Sequence, residues 1–135
     1  MLTSVDAVYL DSSAIVKLVQ EESESPQLRA WLRGQVHVVS SVLARVEVIR
    51  AARLGGPAAG LKAIQILDQI DLIDLTKELL ERAGFLDPST LRSLDAIHLA
   101  AALAFDGGAV VVTYDRRMET GAQAVGLRVA APGRA

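Results

Sequence analysis

Four acids, Asp11, Glu47, Asp95 and Asp115, stand where a carboxylate is poorly explained as surface decoration. Asp11 closes an apolar run, Val8, Tyr9, Leu10, and is followed by Ser12 and Ser13. An Asp before a helix is an ordinary N-cap, but the two serines could cap instead and leave Asp11 less needed for that purpose. Glu47 lies in a stretch that is apolar around most of a helix. A charge there needs a partner, and Arg50 at i+3 is the local one on offer. Asp95 opens an apolar helix, where it complements the helix dipole, with Ser93 available as the cap. Asp115 follows Val110, Val111, Val112 and Thr113, again where a cap would sit. Each acid has a structural explanation. Together they fall at strand ends and helix mouths, where an open α/β sheet gathers its site.

Several converging carboxylates with no thiolate form an all-oxygen site suited to Mg²⁺ or Mn²⁺. Such ions activate water and neutralise phosphoryl oxygens during in-line attack. The chain has no cysteine and two histidines, His37 and His98. That excludes disulfides, thiolate zinc sites and cysteine nucleophiles, and it suits a reducing, cytoplasmic setting. His98, alone on an apolar helix, reads as packed and hydrogen-bonded rather than as a ligand. Walker and Gly-x-Gly-x-x-Gly motifs do not occur. A dehalogenase-like phosphatase would want a second Asp where Ser13 stands. That class and two-component receivers both use a late Lys, whereas the last Lys here is Lys77.

The elements that must position these acids can be read from short apolar runs alternating with helical stretches. Strands are expected at 5–10, 36–40, 70–75, 109–113 and 127–129. Helices are expected at 12–20, 25–33, 42–54, 58–69, 76–84, 94–105 and 116–125, with Gly55, Gly56 and Pro57 breaking two of them apart. The alternation predicts one α/β domain over 1–130, with a mostly parallel central sheet flanked by helices on both faces. Residues 131–135 read as a frayed tail. Trp31 is expected to pack its helix onto the domain. The N-terminus does not resemble a signal peptide, and no apolar run is long enough for a membrane span.

Net charge is −2, which is unusual for a nucleic-acid binder. Eleven of the 14 basic residues are Arg, however, which favours phosphate recognition. Arg45, Arg92, Arg116 and Arg117 are the candidates for gripping phosphates, and Ser12 and Thr113 for bonding carboxylates from behind. The 42–54 helix and the Ala-rich face of the 94–105 helix present more small and apolar surface than one core needs, so part of it should be an interface.

Four segments, in this order, carry a family resemblance: Leu10, Asp11, Ser12, Ser13, Ala14; then Ser41 through Arg45 to Glu47; then Leu94, Asp95, Ala96, Ile97, His98; then Thr113, Tyr114, Asp115 followed by Gly126 to Val129. The chain resembles PIN-domain ribonucleases of the VapC toxin type. The resemblance implies a PIN-like fold, and Asp11, Glu47, Asp95 and Asp115 as a catalytic quartet of Mg²⁺ or Mn²⁺ ligands. It also implies RNA as substrate, a homodimer and a VapB-type antitoxin partner. Some relatives carry a further acid soon after the position of Asp115. Here Arg116 and Arg117 follow, with Glu119 one turn on, which puts a second metal site in doubt. The rival reading is a PIN-like module that binds RNA or a partner without cutting.

Overall fold

A computed structural model describes residues 7–135. The chain runs β1 (Ala7–Leu10), α1 (Ser12–Val19), α2 (Ser25–Arg33), β2 (His37–Ser41), α3 (Leu43–Ala52), a 3₁₀ turn (Arg53–Gly55) and α4 (Pro57–Leu67). It continues with β3 (Asp71–Ile73), α5 (Lys77–Gly84), α6 (Ser93–Leu103), β4 (Val110–Val112), α7 (Arg116–Ala124) and β5 (Val129–Ala130). Every expected element among these residues is present, with boundaries moved by a few positions. The predicted first two residues of β1, Val5 and Asp6, lie outside the described residues.

The five strands are all parallel, in the order β3-β2-β1-β4-β5. β1 is therefore central, and its four residues are buried. Side chains alternate across a strand, and the packing follows that alternation. Tyr9, Val39 and Val111 join Leu79, Leu99 and Met118 in one core, beneath α5, α6 and α7. Val8, Leu10 and Val112 join Ile15, Leu28, Val48 and Leu67 in the other, beneath α1 to α4. Trp31 packs at the edge of that second core, as expected.

One expectation needs correction. The Ala-rich face of α6 is not interface material. Ala96, Ala100, Ala101 and Ala102 are buried in the chain's own core, where small side chains let α5, α7 and the sheet close around the helix. Two contacts join residues 131–135 to the rest of the domain. The Tyr114 hydroxyl donates to the Pro132 carbonyl at 2.7 Å, and Arg134 pairs with Glu119.

The crossovers set the location of any site. From β1 the chain moves outward through β2 to β3, then returns to lay β4 on the other side of β1 and β5 beyond it. The carboxyl ends of β1 and β4 thus flank the point where winding reverses, which is where such sheets open a crevice.

Candidate active site

Asp11 leaves β1 at this crevice, with its backbone N–H donating to the Val112 carbonyl at 3.2 Å. It is itself the N-cap of α1, the role that the sequence left open between it and Ser12 or Ser13. Its Oδ1 accepts from the Ala14 N–H at 3.0 Å and the Ser13 hydroxyl at 2.7 Å. Its Oδ2 accepts from Thr113 Oγ1 at 2.5 Å. Burial pushes the carboxyl pKa up, against the opposing pull of these bonds. Thr113 is fully buried and also accepts from the Asp115 N–H at 3.1 Å, so one hydroxyl links the ends of β1 and β4.

Glu47 reaches the same cleft from α3. Its partner is not Arg50. Oε1 accepts from Ser12 Oγ at 2.6 Å and lies 2.6 Å from His98 Nε2. A carboxylate only accepts, so Nε2 carries the proton. In the neutral ring Nδ1 then accepts from the Tyr9 hydroxyl, 2.6 Å away. Burial raises the Glu47 pKa, but the bonds from His98 and Ser12 outweigh it and hold the carboxyl below its ordinary value.

Asp95 occupies the first turn of α6. Ser93 is not its cap: the capping position is Arg92, which makes no side-chain capping bond. Arg92 instead spans two acids, with Nε 3.0 Å from Asp95 Oδ2 and a terminal nitrogen 3.4 Å from Asp115 Oδ2. Asp115 caps α7, accepting from the Arg117 N–H at 2.8 Å and the Met118 N–H at 3.4 Å.

All four acids line one cleft of about 280 Å³, together with Ser12, His98 and Arg92. As they stand, no three Asp, Glu or His side chains among the described residues are close enough to form a metal-ligand group. Each acid is otherwise engaged: Asp11 by hydroxyls, Glu47 by His98, and Asp95 and Asp115 by one guanidinium. The donor set nevertheless suits a hard divalent cation, being four carboxylates from four separate segments on one cavity. Of the other predicted residues, Arg45 pairs with Asp68 at 2.8 Å and does not line this cleft. Glu119 is engaged by Arg134 and Arg116 and does not line it either.

The part that sequence reasoning missed is the chain Tyr9–His98–Glu47. The signal was present in part: Glu47 and His98 each interrupt an apolar run within a helix, and polar groups so placed must find partners.

A family model for the PIN domain matches residues 8–123. This chain belongs to the PIN-domain family. Ribonuclease VapC46 of Mycobacterium tuberculosis is 48% identical over 128 residues, covering 93% of this chain and 98% of the relative. Ribonuclease VapC47 of the same organism is 42% identical over 132 residues, covering 93% and 97%. Among solved structures, M. tuberculosis VapC20, described as a toxin that cleaves the sarcin-ricin loop, superposes with a TM-score of 0.73 at 17% identity, covering 93% of this chain and 99% of that one. A chain of a Klebsiella pneumoniae toxin-antitoxin complex gives 0.71 at 19% identity, covering 93% and 97%. At those identities the structures speak for the fold, which is the PIN α/β fold. Within this PIN domain the matched span includes all four candidate acids.

Proposed function

We propose that the chain is a divalent-metal-dependent endoribonuclease, the toxin of a VapBC-type pair. The observation that carries this is the meeting of Asp11, Glu47, Asp95 and Asp115 in one cleft at the sheet's switch point, in a chain 48% identical to a ribonuclease.

Asp11 and Asp95 would hold Mg²⁺ or Mn²⁺, with Glu47 and Asp115 completing the set or orienting water. The ion supplies charge neutralisation at the phosphate and a lower pKa for bound water. The chain's own residues do the rest. Thr113 and Ser13 fix the Asp11 carboxylate, while Ser12 and His98 keep Glu47 ionised and aimed into the cleft. Arg92 balances Asp95 and Asp115 in the ion-free protein and can turn to a substrate phosphate once they are otherwise engaged.

A VapB-type antitoxin is the proposed partner. Val46, Leu54, Leu61 and Ile64 leave apolar surface exposed along α3, the 3₁₀ turn and α4, which supports a protein interface there. A homodimer is proposed as well. Cytoplasmic residence accords with a chain that has no cysteine; among the described residues no helix is long and apolar enough to cross a membrane.

The experiment is cleavage of total RNA by the purified chain with Mg²⁺, Mn²⁺, Ca²⁺ or chelator. Cleavage with Mg²⁺ or Mn²⁺ that stops in chelator supports the proposal, and intact RNA under every condition sinks it. A chain that stays monomeric when concentrated and captures no companion from its own operon would remove the proposed partners.

A further inference from the structure

A second cavity adjoins the acidic cleft. It holds about 420 Å³, a volume within the usual range for small-ligand sites, and lies between the segment before α6 and the outer face of α7. Arg92 and Asp95 line both spaces. The sign of the lining reverses across them. The cleft carries four carboxylates against Arg92, whereas the second cavity carries Arg92, Arg116 and Arg117 against Asp95 alone.

The two outer arginines have charge to offer. Arg116 is 3.7 Å from Glu119, but that acid is already held by Arg134. Arg117 forms no ion pair among the described residues; its backbone N–H alone is engaged, with Asp115. The floor is apolar. Leu91 and Ala124 line it, and Gly121 lets α7 close onto Leu91: a Cβ there would stand 2.7 Å from Leu91 Cδ2.

The four carboxylates repel an RNA strand wherever no ion offsets them, so cations beside the cleft are placed to add affinity. Resting on the ribonuclease reading, we propose that this cavity seats the nucleotide next to the scissile phosphate. Arg116 and Arg117 take its phosphate through their forked N–H groups, and Leu91 and Ala124 support its base. Arg92, on the shared wall, marks the boundary between the bound nucleotide and the bond to be cut.

The test is binding, read by fluorescence anisotropy, of a labelled random-sequence RNA of about 12 nucleotides over a salt series. The parent is Asp11→Asn, so that the probe survives. Arg116→Ala with Arg117→Ala should weaken binding at least tenfold and lower the slope of log K against log salt by about 0.7, the single-strand value for one neutralised phosphate. Arg116→Lys with Arg117→Lys should keep most of the slope. Ala124→Trp, on the exposed floor, should weaken binding while leaving the slope unchanged. Arg29→Ala with Arg33→Ala, an equal charge loss on α2, should change little. Melting temperatures identify any variant that has failed to fold, and the remaining variants still decide.

Wild-type affinity and slope in the cavity variants, or an equal loss in the α2 control, overturns the subsite. Loss of a co-purifying antitoxin with RNA binding intact also overturns it, and makes the cavity a protein dock. If wild-type protein cuts RNA, any of these results leaves the ribonuclease reading standing. If the parent binds no RNA and wild type cuts none, both fall.

Discussion

The Glu47 carboxylate and the His98 imidazole stand 2.6 Å apart across 51 residues of sequence, and His98 is the buried member of the pair. His98 aims an acid that its own helix does not carry, and it is aimed in turn by Tyr9. Read from sequence, with the mechanism resting on carboxylates alone, both histidines would be dispensable. The structure separates them. His37 pairs with Asp71 at 3.0 Å and does not line the cleft, so His37→Ala should retain activity. His98→Ala leaves Glu47 and the Tyr9 hydroxyl without their shared partner. It should lower cleavage about 10- to 100-fold, as loss of a ligand-orienting residue does, and cost about 1–3 kcal/mol of stability through stranded polar groups. Cleavage rates with parallel thermal melts measure both. Unchanged activity in folded His98→Ala would mean that Glu47 needs no aiming.

The quartet itself is tested by isosteric removal of charge. Asp11→Asn and Asp95→Asn keep side-chain shape and should abolish cleavage while the chain remains folded. Full activity in either variant refutes the ligand assignment. Ion binding gives an independent readout. An ion held only by the native state stabilises it by about 2.7 kcal/mol at 100 times its Kd, so Mg²⁺ or Mn²⁺ should raise the melting temperature of wild type and much less that of Asp95→Asn.

Burial of Asp11 gives a pH dependence of definite sign. Burial raises its carboxyl pKa in the folded protein, although Ser13, Thr113 and the Ala14 N–H oppose the change. The folded chain therefore binds this proton more tightly than the unfolded chain does. The resulting stability is complete below the unfolded value of about 3.9 and is lost as pH rises through the folded value. At neutral pH, without metal, the buried charge is a cost. Metal-free Asp11→Asn should thus gain on wild type in melting temperature as pH rises, with Thr113 turning its hydroxyl to accept from the new amide. A constant offset from acid to neutral pH would show that Asp11 titrates as though exposed.

How far these features could be read in advance depended on whether they were local. The boundaries of α2 agree with expectation, Ser25–Arg33, because Pro26 and an amphipathic face announce the helix from within. β2 begins one residue late, at His37, because Val36 is apolar yet 87% exposed, and hydropathy does not report which end of a run leaves the sheet. The acids were legible because each follows a strand, opens a helix or interrupts an apolar face. Their partners were not. Arg50 was the near cation for Glu47, yet the tertiary fold supplied His98 and Ser12. The alanines of α6 looked like surplus surface because composition does not say how many helices converge on one. Here both α5 and α7 do, with the sheet beneath.

Arg92 competes with any cation for the same two acids. Its guanidinium lies 3.0 Å from Asp95 and 3.4 Å from Asp115. Arg92→Gln removes that positive charge and leaves the carboxylates unbalanced. Divalent-ion affinity should therefore rise several-fold, read by calorimetric titration, while RNA affinity falls because a phosphate contact is lost. Weaker ion binding would place Arg92 as a support that orients the acids rather than as a charge that opposes the ion.

The chemistry of the cut follows from what the cleft lacks as well as from what it holds. A nuclease that attacks with the RNA 2′-hydroxyl generally uses a base and an acid, often a pair of histidines. Only His98 lines this cleft, and both its ring nitrogens are engaged, one with Glu47 and one with Tyr9. It has no free nitrogen for a substrate hydroxyl. The carboxylates suit water as the attacking group instead. In-line attack by water with O3′ as the leaving group gives a 5′-phosphate and a 3′-hydroxyl, with no 2′,3′-cyclic phosphate on the way. Cleaved RNA should accordingly be ligatable at its 5′ ends without kinase treatment, and a substrate with a 2′-deoxy sugar at the cut should still be cleaved if it binds. Cyclic phosphate termini would refute this route even with the carboxylate quartet intact.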